Sequence, residues 1–151
     1  MGVVPRAAFS HSISRGSRLP TARQYAFADD LLSAVGEVLW VDDEALLDPV
    51  TAVSGSGPAY VFLLAECLAE AGRAAGLDAK LAEQLARATV AGSGALLEQS
   101  NLSAEQLRKN VTSPGGTTAA ALEVLGGADG LQRLMTAAVA AATKRGRDLA
   151  K

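Results

Sequence analysis

Apolar positions recur at helical spacing through most of the chain. Over residues 22–35, Tyr25, Phe27, Ala28, Leu31, Leu32 and Val35 share one face, and Gly36 stands where a helix would stop. Residues 37–41 are β-prone, contain Trp40 and predict a short strand with no evident partner elsewhere in the chain. Asp42, Asp43 and Glu44 then precede Ala45-Leu46-Leu47, where acids favour the first turn of a short helix through its dipole. Three carboxylates in a row also suit a metal ion, but successive helical side chains diverge and no other ligand cluster is near, so the first-turn dipole role is the preferred reading. Ser54-Gly55-Ser56-Gly57-Pro58 predicts a tight turn, with Pro58 in the first turn of the next helix. It lacks the spacing and lysine of a phosphate-binding P-loop and is not a G-x-G-x-x-G fingerprint.

The helix expected over 58–75 is apolar around nearly its whole circumference, through Tyr60, Val61, Phe62, Leu63, Leu64, Ala65, Leu68, Ala69 and Ala71. Such a helix belongs in an interior, and the chain has too few other elements to cover it, which implies an oligomer. Gly76 ends it. Asp78 caps a helix over 79–98, whose Ala91-Gly92-Ser93-Gly94-Ala95 segment leaves room for another backbone. Ser103 with Gln106 forms a capping-box pattern opening a short helix over 103–110. Further helices are expected over 118–125, before Gly126-Gly127, and over 131–149, where Lys144, Arg145 and Arg147 suit the C-terminal dipole. No repeat is evident, and the fold class is all-α.

Composition narrows the chemistry. Hydrophobic residues make up 49% of the 151 positions but aromatics only 4%, which favours one domain whose helices pack closely on small residues and complete their burial against a second copy. Residues 1–24 carry Arg6, Arg15, Arg18 and Arg23 and no acid, leaving ten bases against sixteen acids in the remainder. An acidic body argues against a broad nucleic-acid surface. Residues 1–21 read as a disordered Arg/Ser-bearing arm ahead of a domain over 22–151; an organelle transit peptide has a similar composition. Cys67 and His11 are single, so neither an intrachain disulfide nor a Cys/His zinc site can form, and a cytoplasmic location is expected. The apolar run over 57–65 is too short to span a bilayer, so no membrane helix is expected.

The chemistry-bearing stretch is Val111-Thr112-Ser113-Pro114-Gly115-Gly116-Thr117-Thr118. Pro114 fixes its own φ and keeps Ser113 extended, the glycines permit unusual angles and close approach, and Thr117 and Thr118 open a helix. Free N–H groups and the dipole at that start favour a carboxylate or phosphate. An ordinary helix–helix turn is the equal alternative on these residues alone.

That stretch, with Asp48-Pro49-Val50-Thr51-Ala52-Val53-Ser54-Gly55-Ser56-Gly57-Pro58-Ala59-Tyr60 and Leu32-Ser33-Ala34-Val35-Gly36, closely resembles the C-terminal dimerisation domain of pyrroline-5-carboxylate reductase. The resemblance runs over residues 22–151. It implies interlocked helices in a homodimer, possibly joined into higher rings, and a role in proline biosynthesis. It also implies a substrate loop of Val111, Ser113, Gly115, Gly116, Thr117 and Thr118 that binds the carboxylate of pyrroline-5-carboxylate or proline. Thr118 matches the threonine expected at the ring nitrogen and is the catalytic candidate, because an imine nitrogen must gain a proton as hydride arrives. Asn101-Leu102-Ser103 departs from the acid and His-Pro pair that many members carry.

The family uses NAD(P)H held by a Rossmann domain ahead of this one. Residues 1–24 have no Gly-rich βαβ loop, so no cofactor-binding or metal-binding residue is assigned here. This chain by itself is expected not to reduce its substrate. A non-catalytic dimerisation or carboxylate-binding module is the alternative.

Overall fold

The computed structural model describes residues 11–14, 21–34, 38–41 and 43–149. They fall into two compact units, one comprising the described residues up to Pro58 together with those from Thr136 onward, the other Ala59–Met135.

In the first unit, strand β1 (His11–Ser14), helix α1 (Ala22–Ser33) and strand β2 (Val38–Val41) form a small βαβ arrangement. The strands pair in parallel, His11 opposite Val38 and Ser14 opposite Val41. The strand at Trp40 was expected to lack a partner; it finds one in a segment read as part of a disordered arm. Parallel pairing needs a long crossover, so the two strands sit far apart in sequence and no hairpin signal advertises them. Thr21 and Gln24 open α1 with a reciprocal capping box: the Thr21 N–H donates to Gln24 Oε1 at 2.8 Å and the Gln24 N–H to Thr21 Oγ1 at 3.4 Å. Helix and strand meet through the rings of Tyr25 and Trp40, edge to face with centroids 4.4 Å apart. The Trp40 indole N–H donates to Asp29 Oδ1 at 2.8 Å.

Asp43 caps the next element, its Oδ1 accepting from the Ala45 N–H at 2.9 Å at the start of a single 3₁₀ turn, Glu44–Leu46, with Glu44 in the first turn. Helix α2 (Leu47–Val50) follows, and Pro49 costs it nothing because a first-turn N–H has no intrahelical partner. Where the sequence suggested a tight turn, Thr51–Gly55 is instead a wide π-helical turn. The Ser56 N–H reaches Thr51 O at 2.9 Å and the Ser54 hydroxyl donates to Val50 O, so the glycines are absorbed into helical backbone. Glu44–Ala74 is consequently one helical run of 31 residues, long and apolar enough by length and composition to cross a bilayer. By that measure it is longer than the apolar run over 57–65 from which the expectation of no membrane helix was drawn.

Helix α3 (Gly57–Ala74) and helix α4 (Ala79–Gln99) form a helical hairpin, described here over residues 59–99 of the second unit. The turn between them is a Schellman motif: the Leu77 N–H bonds Gly72 O at 3.1 Å, the Gly76 N–H bonds Arg73 O at 2.9 Å, and Gly76 supplies the positive φ of 103°. Asp78 caps α4, its Oδ1 accepting from the Lys80 and Leu81 N–H groups at 3.1 Å each. The helices cross closely, since a Cβ on Gly72 would stand 3.4 Å from that of Ala82. Ala82 and Ala86 are buried there, and Ala52 in the other unit, all at 2% exposure. On α3, by contrast, Phe62 is 66% and Leu63 58% exposed, with Val61, Leu64 and Leu68 also open. The helix expected to be buried is uncovered within one chain. Helices α5 (Ala104–Asn110), α6 (Thr117–Leu125) and α7 (Leu131–Leu149) complete the order. Helices dominate throughout, and the all-α class holds with the small parallel pair added.

Candidate functional site

Helix α5 aims the loop. Its start is fixed by Ser103 Oγ, which accepts from the Gln106 N–H at 3.2 Å. Only that half of the capping box forms, because the Gln106 side chain turns forward to Asn110 Oδ1 at 2.9 Å. At its other end Val111 serves as C-cap, 63% exposed. Thr112 then fastens the exit twice: its N–H donates to Lys109 O at 3.0 Å and its hydroxyl to Arg108 O at 2.6 Å.

Ser113-Pro114-Gly115-Gly116 is a β-turn closed by the Gly116 N–H on Ser113 O at 3.0 Å. Proline second and glycine third at φ 68° is the type II pattern, and the third position needs glycine because other residues resist positive φ. Gly116 has ordinary extended backbone, φ −81° and ψ 174°; its requirement is for space, since a Cβ there would lie 3.2 Å from Ser113 O. Of the two glycines expected to take unusual angles, one does so.

Gly116 is also the N-cap of α6, and no side chain caps that helix. The Ala120 N–H bonds Gly116 O at 3.2 Å, so the amides of Thr117, Thr118 and Ala119 come before the first intrahelical bond. Thr117 is exposed and Thr118 half-buried. The turn thus brings Ser113, Gly115, Gly116, Thr117 and Thr118 together at one helix start, with Val111 at the entrance. Amides with no internal acceptor, two hydroxyls and the positive end of a helix suit an anion with oxygens, and a carboxylate matches them. Thr112 has no role in the sequence-based expectation, although a β-branched hydroxyl one residue past a helix C-cap is a signal for back-bonding to the preceding turn.

Elsewhere, Asp43 is engaged as a cap, and among the described residues no group of three or more His, Cys, Asp or Glu side chains is arranged to hold a metal ion. Gly55 and Gly57 lie in helical backbone, and Gly92 and Gly94 in the middle of α4. Among the described residues no glycine-rich strand-to-helix turn for a dinucleotide is formed.

Comparison with known proteins gives this geometry its context. Residues 44–149 match the family model for pyrroline-5-carboxylate reductase dimerisation. The chain is 45% identical over 131 residues to a pyrroline-5-carboxylate reductase of Pseudomonas aeruginosa, covering 87% of this chain and 48% of that protein. It is 43% identical over 148 residues to one of Arabidopsis thaliana, covering 98% and 52%. It therefore spans about half the length of the curated relatives it matches. Among solved structures, a pyrroline-5-carboxylate reductase from Coxiella burnetii superposes with a TM-score of 0.87 at 38% identity, over 95% of this chain and 53% of that one. The Plasmodium falciparum pyrroline carboxylate reductase with NADP bound gives 0.72 at 31% identity, over 87% and 52%. With the family model matched across all of α2 to α7 and relatives this similar, the chain belongs to the pyrroline-5-carboxylate reductase dimerisation family.

Proposed function

We propose that this chain supplies the self-association surface and the substrate-carboxylate loop of a cytoplasmic pyrroline-5-carboxylate reductase. The observation that carries the reading is the type II turn that delivers an uncapped helix start at Gly116, in a chain of this family. The amides of Thr117 to Ala119, with the hydroxyls of Ser113 and Thr117, hold the carboxylate of a five-membered cyclic imino acid. Thr118, half-buried on the next position of the helix, places its hydroxyl at the ring nitrogen, where a donor helps deliver the proton the imine gains on reduction.

The family implies a nicotinamide dinucleotide, and one solved relative has NADP bound. The residues described here do not fit that group, so no step of the reduction is routed through it. What this chain's residues do is bind the acid, orient its ring and donate a hydrogen bond to nitrogen. Self-association follows from the other half of the proposal: the open face of α3 takes its cover from a second copy rather than from lipid, because Glu66 and Glu70 interrupt the same helix.

Proline is the test ligand, carrying the same ring and carboxylate. The expected result is that millimolar proline raises the melting temperature of the purified chain and that Thr118→Val diminishes the rise while leaving the ligand-free melting temperature nearly unchanged. Identical melting with and without proline discards the substrate-loop reading. A second reading, a dimerisation module without ligand, is favoured by the exposed apolar face of α3, and that outcome would leave it standing.

A further inference from the structure

The loop's geometry depends on one residue outside the proposed contact set. Between Asn110, the last residue of α5, and the turn that begins at Ser113 there are only two residues, Val111 and Thr112. In that space the chain must leave a helix, satisfy the carbonyls left over at its end and present Ser113 in the extended conformation that Pro114 demands. Val111 is largely exposed and its side chain has no polar atom to contribute. Thr112 meets both requirements: its N–H occupies Lys109 O and its hydroxyl occupies Arg108 O, the latter at 2.6 Å. Two bonds from one residue to successive carbonyls of the last turn fix its orientation about the helix axis, where one bond would leave it free to swivel.

The geometry points to Thr112 as a positioning residue for carboxylate binding, acting through Ser113 and the turn rather than touching the ligand; this rests on the substrate-loop reading above. Because Ser113 O is the acceptor that closes the turn on Gly116, the orientation of Thr112 propagates into the N-cap of α6 within four residues. The hydroxyl is what matters, not the β-branch. Valine keeps the shape and the backbone bond but loses the side-chain bond, and serine keeps both bonds.

The test measures proline binding by titration calorimetry to the full chain, wild type, Thr112→Val and Thr112→Ser, alongside each protein's ligand-free melting temperature. The expected result is a loss of affinity of about three- to tenfold in Thr112→Val, the size of one hydrogen bond's net contribution, with affinity recovered in Thr112→Ser. Amide exchange at Gly116 to Ala119 should quicken in the valine variant alone. Wild-type affinity in Thr112→Val overturns the proposal, as does equal weakening in valine and serine variants, which would mean that shape rather than the hydroxyl is at work. Absence of proline binding to the wild type overturns the substrate-loop reading itself, and the proposal with it.

Discussion

Helix α3 and the loop from Val111 to Thr118 are both incomplete, in opposite ways. On α3 the amides from the second turn onward have helical acceptors, and what is unmet is area: Phe62, Leu63 and Leu64 are 66%, 58% and 49% exposed. In the loop the exposed apolar area is small apart from Val111, and what is unmet is polar: three amides at the start of α6 ahead of the first intrahelical bond. An uncovered apolar face calls for a large, non-directional surface, and a second copy of the same helix provides one at about 25 cal/mol for each Å² removed from water. Unfilled amides call for a small directional acceptor. On the proposed function the same domain carries an assembly device and a ligand device, and changes to each should read out in different measurements.

The largest effect is expected on α3. Phe62→Asp places a charge in a face that needs cover, and we expect the dimer dissociation constant to rise at least about a hundredfold, two buried-side-chain increments at roughly 1.5–3 kcal/mol each; light scattering across a dilution series checks it. An unchanged particle size would show that α3 is not the assembly face. Next is Gly115→Ala, which forces a side chain into φ 68°. The strain of about 1–2 kcal/mol should appear both as lower thermal stability and as weaker proline binding, with dimer size unchanged. Equal proline affinity in this variant would separate the turn from the ligand.

Two smaller effects serve as controls. Asp78→Ala removes a cap that accepts from two amides at the start of α4 and should cost about 1 kcal/mol in chemical denaturation, without altering proline affinity. Smallest of all is Arg147→Ala: its guanidinium stands 3.9 Å from Asp48 with the Arg147 side chain 62% exposed, and such pairs contribute about 0–1 kcal/mol, less in salt. A shift in melting temperature no larger than the error of measurement is expected there.

Much of this was legible in advance because it is local. Gly76, Asp78, Ser103 and Gly126 fixed where helices begin and end to within a residue or two, since caps and breakers act on their own turn of backbone. The candidate site was legible for the same reason, as proline, glycine and threonine write a turn and a helix start in eight consecutive residues. The misreadings have local look-alikes. Ser54 to Pro58 has the composition of a turn, yet the backbone of Thr51–Gly55 satisfies itself in a wide helical turn. The length of the helical run Glu44–Ala74 was hidden by the same glycines.

Sequence by itself determined the helices, their caps and the turn that presents the amides of α6, because each is set by residues within about four positions of one another. Tertiary structure alone decided the strand pairing: it joined His11–Ser14 to Val38–Val41 across a crossover helix, a contact between segments with no shared local signal. Two local choices were also settled only in the folded chain: the Gln106 side chain turned from its expected cap toward Asn110, four residues on, and Thr112 bound back to the end of α5 by two hydrogen bonds. Such choices depend on which donors and acceptors meet in three dimensions, and spacing along the chain leaves them open.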